Sequence, residues 1–158
     1  MTDKSHKEQT IHIVINTIIK DQHGAGEGCK LKAYWDKTGK CWTIGYGCTG
    51  EGIDKNTVWT QDKAELELIR RLGVYYDQAI KASPILAKVS PNKAAAITDF
   101  VYNGGIGMYT KYSVKPHIDA QRWESAAERL KLFNKSGGVK LGGLVKRRAL
   151  EAKLLVMA

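Results

Sequence analysis

Residues 27 to 47 read EGCKLKAYWDKTGKCWTIGYG, and the rest of the chain is organised around this stretch. It holds two carboxylates, Glu27 and Asp36, then a hydroxyl at Thr43, then a glycine-punctuated run. Two short segments rich in Tyr, Trp, Thr and Ile, Lys32 to Asp36 and Cys41 to Tyr46, flank a turn through Thr38 and Gly39. That arrangement predicts a β-hairpin. A carboxylate pair close in sequence and followed by a tight turn can converge on one bond of a bound molecule. It is the minimum equipment for acid/base cleavage of a glycosidic bond.

Helical patterns surround the hairpin. Ile11, Val14, Ile15, Ile18 and Ile19 recur at helical spacing from about Thr10 to Lys20, although their β-branching also suits a strand. The glycines of QHGAGEG stop that segment just before Glu27. Thr60 opens a longer pattern to about residue 82, with Asp62 in its first turn and Leu66, Ile69, Leu72, Tyr76 and Ile80 along one face. Ser90-Pro91 is a strong helix start, and the alanine-rich run that follows reads as a buried central helix ending at Asn103-Gly104-Gly105. Asp119 is placed to cap another helix, broken by Ser136-Gly137-Gly138, and a last helix runs from about Leu144 to Val156.

The bulk properties bound the function. A chain of 158 residues is one domain, or one domain with two small lobes. It buries roughly 70% of its unfolded surface, enough to need no disulfide or metal staple. A net charge of +9 suits a polyanionic partner: nucleic acid, anionic lipid or bacterial cell wall. No nucleic-acid motif or aromatic-interleaved basic run accompanies it. Cys29, Cys41 and Cys48 are odd in number and match no zinc spacing, so thiols in a reducing compartment are expected and no metal site. The N-terminal apolar run, Ile11 to Ile19, is too short and too interrupted to span a bilayer or serve as a signal peptide.

The string EG-x-x-LKAY-x-D-x-x-G-x-x-x-TIGYG resembles the signature of the phage-type lysozymes (endolysins) of glycoside hydrolase family 24. ITDFVYNGGIG resembles that family's central helix, and GGLVKRRALE its C-terminal segment with paired arginines and an acid. The resemblance implies an α+β, mainly α, lysozyme-like two-lobe fold in a single domain over 1–158. A small β-hairpin lobe (about 21–59) and a helical lobe (about 83–158 with the N-terminal helix) would be joined by a long helix (about 60–82). It implies an inverting muramidase cleaving the β-1,4 bond between N-acetylmuramic acid and N-acetylglucosamine of peptidoglycan. Glu27 would be the general acid, Asp36 would activate or orient the attacking water, and the Thr43 hydroxyl would hold it.

Tyr34, Asn103 and Arg147 are the substrate-binding candidates, with Arg147 or Arg148 facing Glu27; Trp42 and Tyr46 are further aromatic candidates. No cofactor is implied, nor any nucleic-acid partner or stable membrane insertion. A monomer is expected, made in the host cytoplasm and reaching the periplasmic wall through a separate holin-like pore.

The chain departs from the family pattern at two points. Six residues, Lys37 to Trp42, separate Asp36 from Thr43 where the family usually has five. One extra residue inside a strand reverses the face of every residue beyond it. A bulge that returns Thr43 to the face of Asp36 is therefore expected; without one, Thr43 points away. Cys48 stands where a His commonly follows GYG, so any ion pair of that His is lost. The hairpin insertion also admits an alternative function, a catalytically impaired lysozyme-fold protein that binds wall glycan without cutting it.

Overall fold

The computed structural model describes residues 2–20, 29–37, 39–136 and 138–158. The chain divides into two compact units, one of Met1–Gly26 with Leu72–Ala158 and one of Glu27–Arg71. The division falls between Arg71 and Leu72, inside the long helix Gln61–Ala82.

The larger unit is helical. Its centre is α3 (Pro91–Gly104), in which every residue from Ala94 to Val101 is buried. Ser90 starts it as expected: its Oγ accepts from the Asn92 N–H at 3.1 Å, and Pro91 gives up only an N–H that the first turn leaves unpaired. The three alanines let neighbouring backbones come close, and α1 (Thr2–Ile13) and α7 (Gly142–Leu155) both pack on this helix.

Helix α1 starts well before Thr10, and its polar first half is held by His6 and Lys7. His6 bonds the Tyr76 hydroxyl and the Val89 carbonyl, both at 2.9 Å, and Lys7 pairs with Asp77 at 2.9 Å. Val14–Ile19 then widens into a π-helix, closed by Lys20 N–H to Ile15 C=O at 2.7 Å. All but Asn16 in that segment are β-branched, a composition that crowds a regular α-turn.

After α3, the short helices α4 (Ile106–Lys111) and α5 (Val114–Asp119) precede α6 (Trp123–Leu130), and a two-residue hairpin, β3 (Lys135–Ser136) with β4 (Val139–Lys140), leads into α7. Asp119 ends α5 rather than capping α6, and its carboxylate takes Lys115 Nζ at 2.7 Å. Periodicity missed α4 and α5 because six residues are less than two turns.

The smaller unit is built on β1 (Lys30–Asp36) and β2 (Cys41–Gly45), antiparallel. The segment at Val58 runs along the other edge of β1, with Ala33 N–H to Thr57 C=O at 3.0 Å and Trp59 N–H to Leu31 C=O at 2.8 Å. Helix α2 (Gln61–Ala82) begins in this unit and ends in the other. Its buried stripe is Ala64, Leu68, Leu72, Tyr76 and Ala79, whereas Leu66 and Ile69, expected on that stripe, are exposed. Leu72 and Tyr76 lie on the stripe as expected, and around them the buried face takes in Ala64, Leu68 and Ala79 instead of Leu66 and Ile69.

Candidate active site

Glu27, the expected general acid, lies outside the described residues. The other candidates fall into two groups, one on the hairpin and one on the helical unit.

On the hairpin the pairing is Asp36 opposite Cys41, Trp35 opposite Trp42 and Tyr34 opposite Thr43. Opposed residues of an antiparallel pair share a face, and so do residues two apart. Tyr34, Asp36, Cys41 and Thr43 therefore lie on one face. Asp36 and Thr43 are diagonal neighbours, with about 7–8 Å between their backbone positions. Trp35 and Trp42 take the opposite face, edge to face at 5.5 Å.

The register shift expected between Asp36 and Thr43 lies elsewhere: the pairing slips between Lys30 and Tyr34, toward the hairpin's base. The extra residue is accommodated in the turn, where Lys40 adopts a left-handed φ of +54°. Thr43 thus shares the face of Asp36 without a bulge between them.

The turn also confines Asp36. A Cβ on Gly39 would stand 2.8 Å from Asp36 Oδ2 and 3.2 Å from Cys41 Sγ, so the carboxylate and the thiol both lie against a bare backbone. Thr43 is buried, 2% exposed. Its Oγ1 donates to the Cys41 carbonyl at 3.4 Å and lies 3.9 Å from Cys41 Sγ. Beyond it, Gly45 has φ +67°, and a Cβ there would meet the Trp59 ring at 2.9 Å. The glycine of TIGYG is needed for both reasons. Tyr46 is half-buried, its hydroxyl accepting from Gln61 Nε2 at 3.1 Å.

Cys48 exchanges both backbone bonds with Ile44, at 2.7 and 2.9 Å, and is fully buried. Burial pushes its thiol pKa up, the charge of Arg71 opposing. It remains a neutral thiol where an imidazole was expected, and Arg71 instead donates to the Thr49 carbonyl at 3.1 Å. No disulfide joins Cys29, Cys41 or Cys48.

On the helical unit, Arg147 does not extend from the fold. Its Nε and Nη2 bond Asp99 Oδ2 and Oδ1 at 2.8 and 2.6 Å, a bidentate pair, and its guanidinium lies 5.7 Å from the Tyr102 ring centroid. Arg148 Nη2 donates to Asn103 Oδ1 at 2.9 Å and to Glu151 Oε2 at 2.8 Å. Its Nε is 2.6 Å from Glu151 Oε1, off the N–H axis, an ion contact rather than a hydrogen bond.

Asp99 and Glu151 are both fully buried, and each affects the proton affinity of the other. Burial, then the neighbouring Asp99 carboxylate, holds the Glu151 pKa well above 4.5 against the pull of the arginines. Burial works the same way on Asp99, but Arg147, paired with it directly, and then Glu151 and Arg148 outweigh it and hold its pKa low. Of the two carboxyls, Glu151 holds its proton the more tightly. Asp99 and Glu151 were not among the sequence candidates; the available signal was an acid inside the apolar run ITDFVY, with a second acid three residues after the paired arginines.

A helical unit centred on α3, and a hairpin unit carrying an acid and a hydroxyl on one face, define a lysozyme-like fold. The muramidase domain of SpmX from Asticaccaulis excentricus superposes with a TM-score of 0.75 at 21% identity, covering 94% of this chain and 95% of that one. The chain belongs to the phage lysozyme family, whose model matches residues 24–151. The endolysin of Bacillus phage PZA is 36% identical over 129 residues, 81% of this chain and 49% of that protein. The endolysin of Bacillus phage B103 is 33% identical over 131 residues, 82% of this chain and 49% of its own length. The chain thus spans about half the length of these curated relatives.

Proposed function

We propose that this protein is an endolysin muramidase that hydrolyses the β-1,4 bond between N-acetylmuramic acid and N-acetylglucosamine in peptidoglycan. Membership of the phage lysozyme family supports the reaction class. The observation that carries it for this chain is the hairpin register, which keeps Asp36 and Thr43 on one face despite the longer turn. Glu27 protonates the leaving glycosidic oxygen, a role assigned from its place in the signature. Asp36, with its carboxylate fixed over Gly39, orients or deprotonates a water on the opposite side of the sugar, which gives inversion. Thr43 steadies that water by rotating its hydroxyl away from the Cys41 carbonyl, a bond long enough at 3.4 Å to exchange.

The substrate accounts for the +9 charge, since peptidoglycan carries carboxylates along its peptide stems. No helix among the described residues is long and apolar enough to cross a membrane. Passage of a monomer through a separate holin-like pore, from the host cytoplasm to the wall, fits that feature.

One observation favours the second reading, a wall binder that does not cut: Thr43 is buried, with its hydroxyl turned to its own strand. A turbidity-clearing assay on purified peptidoglycan separates the two. Wild type should clear, and Glu27→Gln and Asp36→Asn should each lose two or more orders of magnitude, on the order of what acid/base groups contribute. Equal clearing by wild type and Glu27→Gln would sink the hydrolase.

A further inference from the structure

Thr43 is a buried residue whose hydroxyl has no short hydrogen bond. It is 2% exposed, and among the described residues its Oγ1 has two polar contacts, the Cys41 carbonyl at 3.4 Å and Cys41 Sγ at 3.9 Å. A hydroxyl bonded to oxygen normally sits at about 2.7–2.8 Å. Burying a hydroxyl with so little in return costs free energy, and native structures seldom leave one in that state. Both of these long contacts come from one residue. Cys41 stands opposite Asp36 in the ladder, on the face that Thr43 shares. Its sulfur and the Asp36 carboxylate lie 3.2 and 2.8 Å from the place a Cβ on Gly39 would occupy. The thiol is thus a neighbour of both the acid and the hydroxyl.

Sulfur decides how strongly that neighbour competes. A thiol is a weak donor and a weak acceptor, whereas a serine hydroxyl in its place would be a full partner in both senses. We infer that Cys41 is a positioning residue of the hydrolytic reaction: its sulfur leaves the Thr43 hydroxyl uncommitted, and so open to the water that Asp36 directs. The inference deepens the hydrolase reading and rests on it for that water. The long bonds of Thr43 and the thiol beside it are features of the hairpin alone. A hydroxyl at position 41 would engage Thr43 and withhold it from the water.

The test compares Cys41→Ser with Cys41→Ala on soluble, uncross-linked peptidoglycan strands. Serine is closer to cysteine in size and polarity, so a residue that merely packs would tolerate serine better than alanine. Competition for Thr43 reverses that order. The kcat of Cys41→Ser should fall about three- to tenfold below that of Cys41→Ala, the scale of one hydrogen bond, with KM alike for the two. Melting temperatures recorded alongside keep a folding defect from being read as a loss of kcat. In a Thr43→Val background, followed by release of reducing ends, the gap should close, because the hydroxyl competed for is gone. A Cys41→Ser enzyme at least as fast as Cys41→Ala overturns the inference and leaves the hydrolase intact, and so does a gap that survives in the Thr43→Val background. Should wild type hydrolyse nothing, the hydrolase reading falls and this inference falls with it.

Discussion

Arg147 and Asp99 meet through two parallel hydrogen bonds, 2.8 and 2.6 Å long, with the carboxylate fully buried and the arginine 8% exposed. The pair joins α7 to the central helix α3, and its value lies in the cost of breaking it. Arg147→Ala leaves a buried carboxylate with half its compensation, so a loss of about 3–5 kcal/mol is expected. Replacing both partners by apolar residues of similar volume should cost much less. Urea unfolding of Arg147→Ala and of Asp99→Leu/Arg147→Met, side by side, checks this; equal losses would contradict it.

The second carboxyl of the network gives stability an unusual pH dependence. Glu151 binds its proton more tightly folded than unfolded. Above about pH 4.5 the unfolded chain releases that proton while the folded chain keeps it, so this group's contribution falls as pH rises toward the folded pKa. Asp99, with its pKa held below 3.8, acts in the opposite sense, and its contribution is lost as pH falls. Glu151→Gln removes the first effect only. Its stability relative to wild type should climb as pH rises above about 4.5, read from unfolding midpoints. A flat difference would mean that Glu151 ionises normally.

Gly39→Ala tests the confinement of Asp36. The new methyl would need the space 2.8 Å from Asp36 Oδ2, and the carboxylate must swing away. Clearing activity should drop on the order of tenfold to a hundredfold, the range for a reacting group displaced by about an ångström. Far-UV circular dichroism and the melting temperature should change little, because the turn is exposed. Full activity would show that the position of Asp36 is not limiting.

The cysteines should differ in reactivity. Cys48 is fully buried with a raised thiol pKa, whereas Cys41 is half-buried. Under native conditions an alkylating reagent should label Cys41 well before Cys48, as peptide mass spectrometry would show; Cys48 should react only on unfolding. Early labelling of Cys48 would mean that the Ile44–Cys48 bridge opens readily.

Much of this architecture was legible in the residues, and the exceptions share a cause. Ser90-Pro91 and the alanine run announced α3 because capping and burial there are local matters. Asp36 and Thr43 were legible as a pair only through the signature they share, and the face Thr43 takes is settled by the hairpin register. What local patterns could not supply was long-range pairing. His6 finds Tyr76 and Val89 far along the chain, and that holds a polar segment in a helix. Asp99 finds Arg147, and Arg148 finds Asn103, which places in the core two arginines that the resemblance had offered as partners for Glu27. The register shift was expected between Asp36 and Thr43 because only the residue count was visible; it is the left-handed backbone of Lys40 that lets the turn accommodate the extra residue.

That turn has a consequence for how the family can vary and be engineered. Length at the tip of this hairpin is decoupled from orientation along its strands, so a residue gained between Asp36 and Cys41 need not invert the alternation that Thr43 obeys. The tip is thus a natural graft point, where a short peptide tag or a wall-targeting loop can be inserted while the strands keep their parity. The same insertion two residues later, inside Cys41–Gly45, would exchange Thr43 for its neighbour on the working face.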